Sequence, residues 1–162
     1  MRFFVTGEQN RKLLINSLIL MFLGYIALLW LSNGLMYFHK MDLTADSVIA
    51  YYLGSEQDFT QPRSYQSLLE VSHFHLFSMA MLVLTLTHLM IMTDIVLWLK
   101  ISLSGAVYLF AVGDELSGWL VRFVHPGFAY VKIAMFVGLE LSLLALLIIV
   151  TASLIGARSQ TR

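Results

Sequence analysis

The sequence contains no cysteine. This absence excludes disulfides, iron–sulfur clusters, thiolate zinc sites and a covalently attached c-type haem, since each of them needs cysteine sulfur. Charge is also scarce, because Asp, Glu, Lys and Arg together make up 12% of the 162 residues, where a soluble domain carries about a quarter. Ten basic and ten acidic side chains are balanced and scattered. Nucleic acid is therefore not expected as a partner, and a water-facing surface is excluded over most of the chain.

The chain contains long apolar runs, and hydrophobic residues make up 59% of it. A hydrocarbon core of about 30 Å needs about 20 apolar residues in a helix. Four segments satisfy this length, at about residues 13–38, 68–93, 95–121 and 127–156. The first is longer than the roughly 7–15 apolar residues of a signal peptide, so we interpret it as an uncleaved span. The sequence thus predicts an all-α integral membrane four-helix bundle, one transmembrane domain over residues 1–162.

Polar residues between the first two spans predict a short additional helix. Thr44 is a suitable N-cap and Gly54 a suitable stop, and Val48, Tyr51 and Tyr52 between them suggest a helix lying at the membrane interface. Ser64 is a candidate cap for the second span. The first outer loop is therefore expected to hold a short interfacial helix.

The distribution of Lys and Arg predicts the orientation of the spans. Basic residues near span ends favour the cytoplasmic side. With both termini inside, the cytoplasmic set outnumbers the outer set by six to four. The cytoplasmic set is Arg2, Arg11, Lys12, Lys100, Arg158 and Arg162, and the outer set is Lys40, Arg63, Arg122 and Lys132. We expect a multi-pass protein of a bacterial-type inner membrane, in contact with the lipid bilayer, with both termini cytoplasmic.

The second span has the most informative polar pattern. At about 100° per residue, one stripe of this helix falls within an arc of about 80°. Polar groups in a bilayer usually face the bundle interior, which predicts that this stripe lies inside. His75 points nearly the opposite way. The stripe consists of Gln66, Glu70, His73, Phe77, Met81, Leu84 and His88.

Histidines are the candidate metal ligands in a chain without cysteine. Imidazole is the usual axial ligand of a b-type haem, and a second helix normally supplies the opposing ligand. His39, His73, His75 and His125 lie at similar depth in the outer half, whereas His88 is alone in the inner half. One haem b in the outer half is expected, with its iron held by His73 and His125. His39 is a less favoured second ligand, and His75 is a rival to His73.

Carboxylates form a second set of candidates. Glu140 lies near the centre of the fourth span, where burial favours the neutral acid, so it is a candidate proton carrier or an interhelical hydrogen-bonding group. Asp114 and Glu115 lie in the outer half of the third span, and an internal ion pair with Arg122 is expected. Lys100 is expected to extend to the inner headgroups.

The pair His73 and His88, one bilayer apart on one helix face, resembles the haem-carrying helices of membrane b-type cytochromes. The resemblance covers the second span and, loosely, the four-helix plan, and it implies haem-based electron transfer. That family usually has a second helix with its own histidine pair, whereas here His125 is followed 15 residues later by Glu140. The run from Leu68 to Phe77 is also similar to a group of small uncharacterised bacterial inner-membrane proteins, which implies no activity.

Three functions are consistent with these features. The first is an electron-transfer subunit of a membrane oxidoreductase, itself non-catalytic or redox-active. It holds one haem b and exchanges electrons with a quinol and with an outer-side redox subunit. The second is a proton or ion pathway subunit without a cofactor, with Glu70, His88, Glu140 and Asp114 as relay groups. The third is an accessory subunit that packs against a larger membrane complex. The sequence favours the first.

Overall fold

The structure is a computed structural model that describes residues 7–57 and 59–159, and over these residues the chain is mostly helical without a named strand. The predicted all-α class is confirmed. A 3-10 turn at Pro126–Phe128 leads into the last helix. The helices are α1 (Gly7–Lys40), α2 (Ala45–Leu53), α3 (Tyr65–Ile91), α4 (Leu97–Phe123) and α5 (Ala129–Ser159).

Four of these helices, α1, α3, α4 and α5, are long and apolar enough to cross a membrane. Their spans of 27, 27, 27 and 31 residues correspond to about 40 Å or more of helix, which exceeds a hydrocarbon core of about 30 Å. Large apolar side chains point outward along them, such as Met21, which is 73% exposed, and Leu109, which is 62% exposed. The chain is a multi-pass membrane protein, and this apolar surface contacts lipid.

Local capping determines the residues at which α2 and α3 begin, which hydropathy alone does not show. The hydroxyl of Ser64 accepts a hydrogen bond from the amide of Ser67 at 3.1 Å, so α3 begins at Tyr65, three residues before the apolar run at 68. The hydroxyl of Thr44 accepts from the amide of Ser47 at 3.4 Å and starts α2. Both predicted N-caps and the short helix in the first loop are confirmed.

Gly54 ends α2 for a steric reason. Its φ is +83°, and a Cβ there would lie 2.6 Å from the carbonyl oxygen of Thr60. A side chain is excluded by both the backbone conformation and the space. Val48 and Tyr52 are buried where α2 packs on α4 and α5.

The bundle is organised around α5. Helices α4 and α5 form the most extensive pair, and α3 packs on both of them. Among the described residues α1 packs chiefly on α5, with at most marginal contact to α3. The half of the bundle nearer the α3–α4 turn is filled by apolar side chains that are almost completely buried. These are Val83, Leu86 and Met90 of α3, Val107 of α4, and Leu139, Leu143 and Leu146 of α5.

The orientation across the membrane stays a prediction. The even number of spans among the described residues places Gly7 and Ser159 on the same side of the membrane. Arg2 and Arg162, which contribute to the predicted orientation, lie outside the described residues. Lys132, which the sequence analysis counted as an outer flanking residue, is buried in the bundle, so it adds nothing to the basic charge at the outer surface.

Candidate functional site

The polar stripe of α3 lies on the outside of the bundle. Glu70, His73 and His88 are all exposed, so the prediction that this stripe lines the interior is wrong. The side facing α4 and α5 carries Ser72 and Leu86 instead. Within a bilayer, lipid and core are equally apolar, so hydropathy does not distinguish the two faces of such a helix. In this structure the two faces of α3 are distinguished by the contacts that its small and hydrogen-bonding side chains make with the neighbouring helices.

His75 is the histidine of α3 that faces the bundle. Its Nδ1 lies 2.7 Å from Oε2 of Glu115 on α4, with the imidazole 28% exposed and the carboxylate 12% exposed. The other carboxylate oxygen of Glu115 accepts a hydrogen bond from Ser72. The indole nitrogen of Trp119 donates to the same Ser72 hydroxyl at 2.8 Å. One carboxylate thus organises an imidazole, a hydroxyl and an indole into a connected network across α3 and α4.

A second polar pair joins α4 and α5. Its member on α4, Asp114, is the residue before Glu115. The ammonium group of Lys132 contacts Oδ1 of Asp114 at 2.7 Å and the Asp114 carbonyl oxygen at 2.9 Å. Both side chains are more than nine-tenths buried. The prediction that these carboxylates form an ion pair with Arg122 is wrong. Arg122 lies a further two turns along α4, where its Nε donates to the carbonyl oxygen of Arg63 at 2.7 Å.

Lys100 makes hydrogen bonds that the sequence does not predict. Its ammonium group donates to the carbonyl oxygens of Ile91 and Thr93 at 2.8 and 2.6 Å. These carbonyl groups belong to the end of α3 and the turn after it, where an intrahelical donor is missing. Lys100 therefore closes the α3–α4 turn at the ends of both spans, and its extension to the headgroups stays a prediction.

A cleft of about 650 Å³ opens between α1 and α3, beside the polar network. Its α1 wall includes Asn33 and Tyr37, and its floor is formed by α4 and α5. Because α1 and α3 scarcely touch, the cleft is bounded by two helices that do not pack against each other. Its charged and aromatic lining groups are Trp30, Tyr37, Lys40, Tyr51, Tyr52, Arg63, Phe74, His75, Asp114, Glu115, Trp119, Lys132 and Phe136.

Helix α2 and the loop after it form the outer end of the cleft. The phenol of Tyr52 packs on Gly118, where a Cβ would lie 2.6 Å from the Tyr52 oxygen. Burial raises the pKa of Tyr52 above its usual value, so the phenol stays neutral. The guanidinium of Arg63 stacks over the ring of Tyr51 at 4.2 Å. A cation thus lies at the outer end, above a deeper, mostly apolar chamber.

The polar groups of the cleft lie two to three turns inside the ends of the spans. Ser72 and His75 are seven and ten residues after the start of α3, about 10 and 15 Å along its axis. Glu115 is eight residues before the end of α4, about 12 Å from its outer end. In a span centred on a hydrocarbon core of about 30 Å, the imidazole and the carboxylate would lie within that core.

The remaining candidate residues do not join this cleft. His39 and His125 are exposed, and Nδ1 of His125 accepts a hydrogen bond from the amide of Gly127 at 2.9 Å, which caps the 3-10 turn. In the part of the chain that the structure describes, no three His, Asp or Glu side chains come together as a metal site. The haem with His73 and His125 as ligands stays a prediction.

Glu140 lies in a separate groove between α1 and α5. Its Oε1 accepts a hydrogen bond from the amide of Asn33 at 2.6 Å, and its backbone carbonyl accepts from the indole of Trp30 at 3.1 Å. The groove measures about 390 Å³ and is otherwise apolar. The interhelical role considered for Glu140 matches this contact.

Sequence reasoning did not find the pair His75–Glu115 or the pair Asp114–Lys132. Both pairs join different helices, and which faces of two spans meet is not encoded in either span alone. A weak signal exists on α3, where Leu68, Ser72, His75, Met79 and Leu82 recur at spacings of three and four residues. The exposed stripe has the same spacing, so the sequence alone does not show which of the two faces is buried.

The comparisons with known proteins agree with this architecture. A family model described as a transmembrane helical domain matches residues 42–161, which contain α2 to α5 and leave out α1. No curated protein and no solved structure matches the chain. The matched region covers well over half of the sequence. The chain belongs to this family of transmembrane helical domains.

Proposed function

We propose that the protein is the membrane subunit of an electron-transfer complex and that the cleft between α1 and α3 binds the head of a quinone or quinol. The observation that carries the proposal is the pair His75–Glu115 on the wall of a largely apolar cleft within the bilayer. Ligand sites are typically chambers of about 300–1,000 Å³ with a few polar groups that fix the ligand's orientation. The cleft, at about 650 Å³, fits that description.

The depth of the polar groups favours a quinone over a phospholipid. A phospholipid keeps its charged head at the interface, level with the helix ends, whereas His75 lies about 15 Å below the outer end of α3. A quinone is apolar over its whole tail and carries only two neutral oxygens on its ring. It can therefore bring a hydrogen-bonding head to this depth without burying a charge.

The chemistry of the pair suits both redox forms of such a ligand. The Glu115 carboxylate accepts hydrogen bonds, as a quinol hydroxyl requires. Nδ1 of His75 faces Glu115, and its other ring nitrogen makes no hydrogen bond among the described residues. That nitrogen is available to a ligand oxygen. The neighbouring Asp114–Lys132 pair is neutral overall, so it adds no net charge to the chamber.

The b-type haem is a separate part of this proposal and rests on the sequence. His73 and His125 are both exposed, so a haem held by them would lie on the outside of the bundle. An absorption spectrum and an iron analysis of the purified protein test the haem independently of quinone binding. A colourless, iron-free protein would remove the haem and leave the cleft proposal to be tested by itself.

Photolabelling tests the cleft directly. A quinone carrying an azido group on its ring is irradiated with the protein in liposomes, and the labelled peptides are identified by mass spectrometry. We expect label on the cleft walls of α1 and α3, with competition by an unlabelled quinone of the same head group. Ser78→Phe, on the cleft wall, is expected to reduce labelling by filling the chamber.

Ser102→Phe is the matched control, since Ser102 is exposed on α4 and does not line the cleft. It should label like the wild type. Label spread evenly over lipid-facing peptides, unchanged by Ser78→Phe, would contradict the proposed site.

A further inference from the structure

The exposed stripe of α3 is unusual for a surface that faces lipid. All of its members are exposed, and they include Glu70 and His73, five and eight residues after the start of α3, and Gln66 and His88 near the two ends of the helix. The lipid-facing side of α5 by contrast presents Leu141, Ile148 and Ile155. Polar and ionisable groups facing hydrocarbon are costly, and such groups usually face a protein partner. We refer to Gln66, Glu70, His73, Phe77, Met81, Leu84 and His88 as the α3 stripe.

The polar members of the α3 stripe have little to bind within their own chain. Glu70 accepts a hydrogen bond from Gln66 at 3.0 Å, one turn earlier on the same helix. His73 makes an edge contact with the ring of its neighbour Phe74. Among the described residues, no group of another helix is seen to bond to either side chain.

We propose that the α3 stripe is the interface of a parallel homodimer, in which a second copy of the chain is related by a twofold axis along the membrane normal. Such an axis places equal residues at equal depth, so the interface must be complementary to itself. Glu70 and His73 meet this condition, because they share one face and are about 4.5 Å apart along the axis. Each carboxylate then meets the imidazole of the other copy, and the contact occurs twice.

The rest of the α3 stripe continues the same seam into the bilayer. Phe77, Met81 and Leu84 follow His73 at spacings of four, four and three residues, the spacing of side chains along one helix–helix contact. Methionine adapts its shape to a facing surface. The cleft-lining residues Val71 and Ser78 lie on a different side of α3, so the dimer leaves the cleft open. The inference does not depend on what the cleft binds.

Disulfide scanning tests the interface cleanly because the chain has no cysteine of its own. Phe77→Cys is expected to form an intermolecular disulfide under mild oxidation in nanodiscs or native membranes. Leu109→Cys is the control, since Leu109 is 62% exposed on α4 and lies outside the interface. Cross-linking at position 77 that is no faster than at 109 would overturn the proposal.

A charge exchange tests the reciprocal contact. Glu70→Gln and His73→Ala are each expected to weaken self-association by about tenfold, measured by energy transfer between labelled copies in liposomes. The exchanged variant Glu70→His with His73→Glu rebuilds both contacts with the partners reversed, so it should associate like the wild type. An exchanged variant as weak as the single variants, or a wild type that stays monomeric, would contradict the dimer.

Discussion

The two ionisable pairs, His75–Glu115 and Asp114–Lys132, differ in how much of each is exposed. Asp114 and Lys132 are almost fully buried and satisfy each other. His75 is 28% exposed and keeps one ring nitrogen unbonded among the described residues. At the level of single residues, the first pair is suited to holding α4 on α5, and the second pair is suited to meeting a ligand.

Removing one member of the buried pair should destabilise the protein strongly. Lys132→Met leaves the Asp114 carboxylate buried without its cation, which costs about 3–5 kcal/mol of unfolding free energy. The double variant Asp114→Leu with Lys132→Met removes both charges and should recover most of that loss. Unfolding by increasing sodium dodecyl sulfate in mixed micelles, followed by circular dichroism, measures both. A double variant less stable than Lys132→Met would contradict this assignment.

The raised pKa of Tyr52 predicts a loss of stability in alkali. An unfolded tyrosine releases its proton near pH 10, whereas burial makes the folded protein retain that proton to higher pH. The stabilising difference is complete below about pH 10 and is lost as the pH rises through the folded pKa. Alkaline unfolding of the wild type and of Tyr52→Phe should therefore diverge only above about pH 10. Identical pH profiles would show that Tyr52 ionises normally.

At the level of helices, α1 is attached differently from the others. It packs chiefly on α5, and the family match begins at residue 42, after α1 ends. Its interhelical hydrogen bonds include those from Trp30 and Asn33, both to Glu140. Helix α1 is thus a wall of the cleft that is added to a core formed by α2 to α5.

Asn33→Leu should loosen this attachment. It removes the donor to the Glu140 carboxyl group, and the expected loss is about 1 kcal/mol of unfolding free energy, typical of an interhelical hydrogen bond in a bilayer. Ser32→Leu is the matched control, because the Ser32 hydroxyl bonds to the Leu29 carbonyl oxygen within its own helix. Equal losses for both variants would mean that the Asn33–Glu140 contact adds nothing.

The sequence predicts helices well where the deciding interaction is local. Thr44 and Ser64 cap their helices within one turn, and Gly54 ends α2 through its own positive φ, so residue type alone predicts all three. The orientation of α3 depends instead on contacts with α4 and α5 that a single span does not contain. The exposed stripe and the buried side both have helical spacing, and in a membrane the hydrophobic effect does not choose between them.

At the scale of the whole molecule, the four spans among the described residues place Gly7 and Ser159 on one side of the membrane and the α1–α3 loop on the other. The Lys and Arg distribution predicts that the ends are cytoplasmic. Glu56→Cys, in the loop, should react with a membrane-impermeant maleimide in intact cells. Gly156→Cys should react only after permeabilisation, and the reverse pattern would invert the topology.

The pairs of the candidate site exist only in the assembled bundle, which explains why the sequence predicts some of their members but neither pair. His75 and Asp114 were both candidates, but their partners Glu115 and Lys132 lie on other helices. The cleft itself arises because α1 packs on α5 and scarcely contacts α3. The spacing between two helices is a property of their packing.

Binding of a short-chain quinone, measured by quenching of tryptophan fluorescence in nanodiscs, tests the central claim most directly. Trp30 and Trp119 both line the cleft, so a bound quinone should quench their emission saturably. Glu115→Gln should raise the Kd by about tenfold or more, the effect of a lost hydrogen bond to a charged group. Glu70→Gln, a matched change on the α3 stripe and outside the cleft lining, should leave the Kd unchanged. Non-saturable quenching, or equal Kd values for both variants and the wild type, would contradict the account.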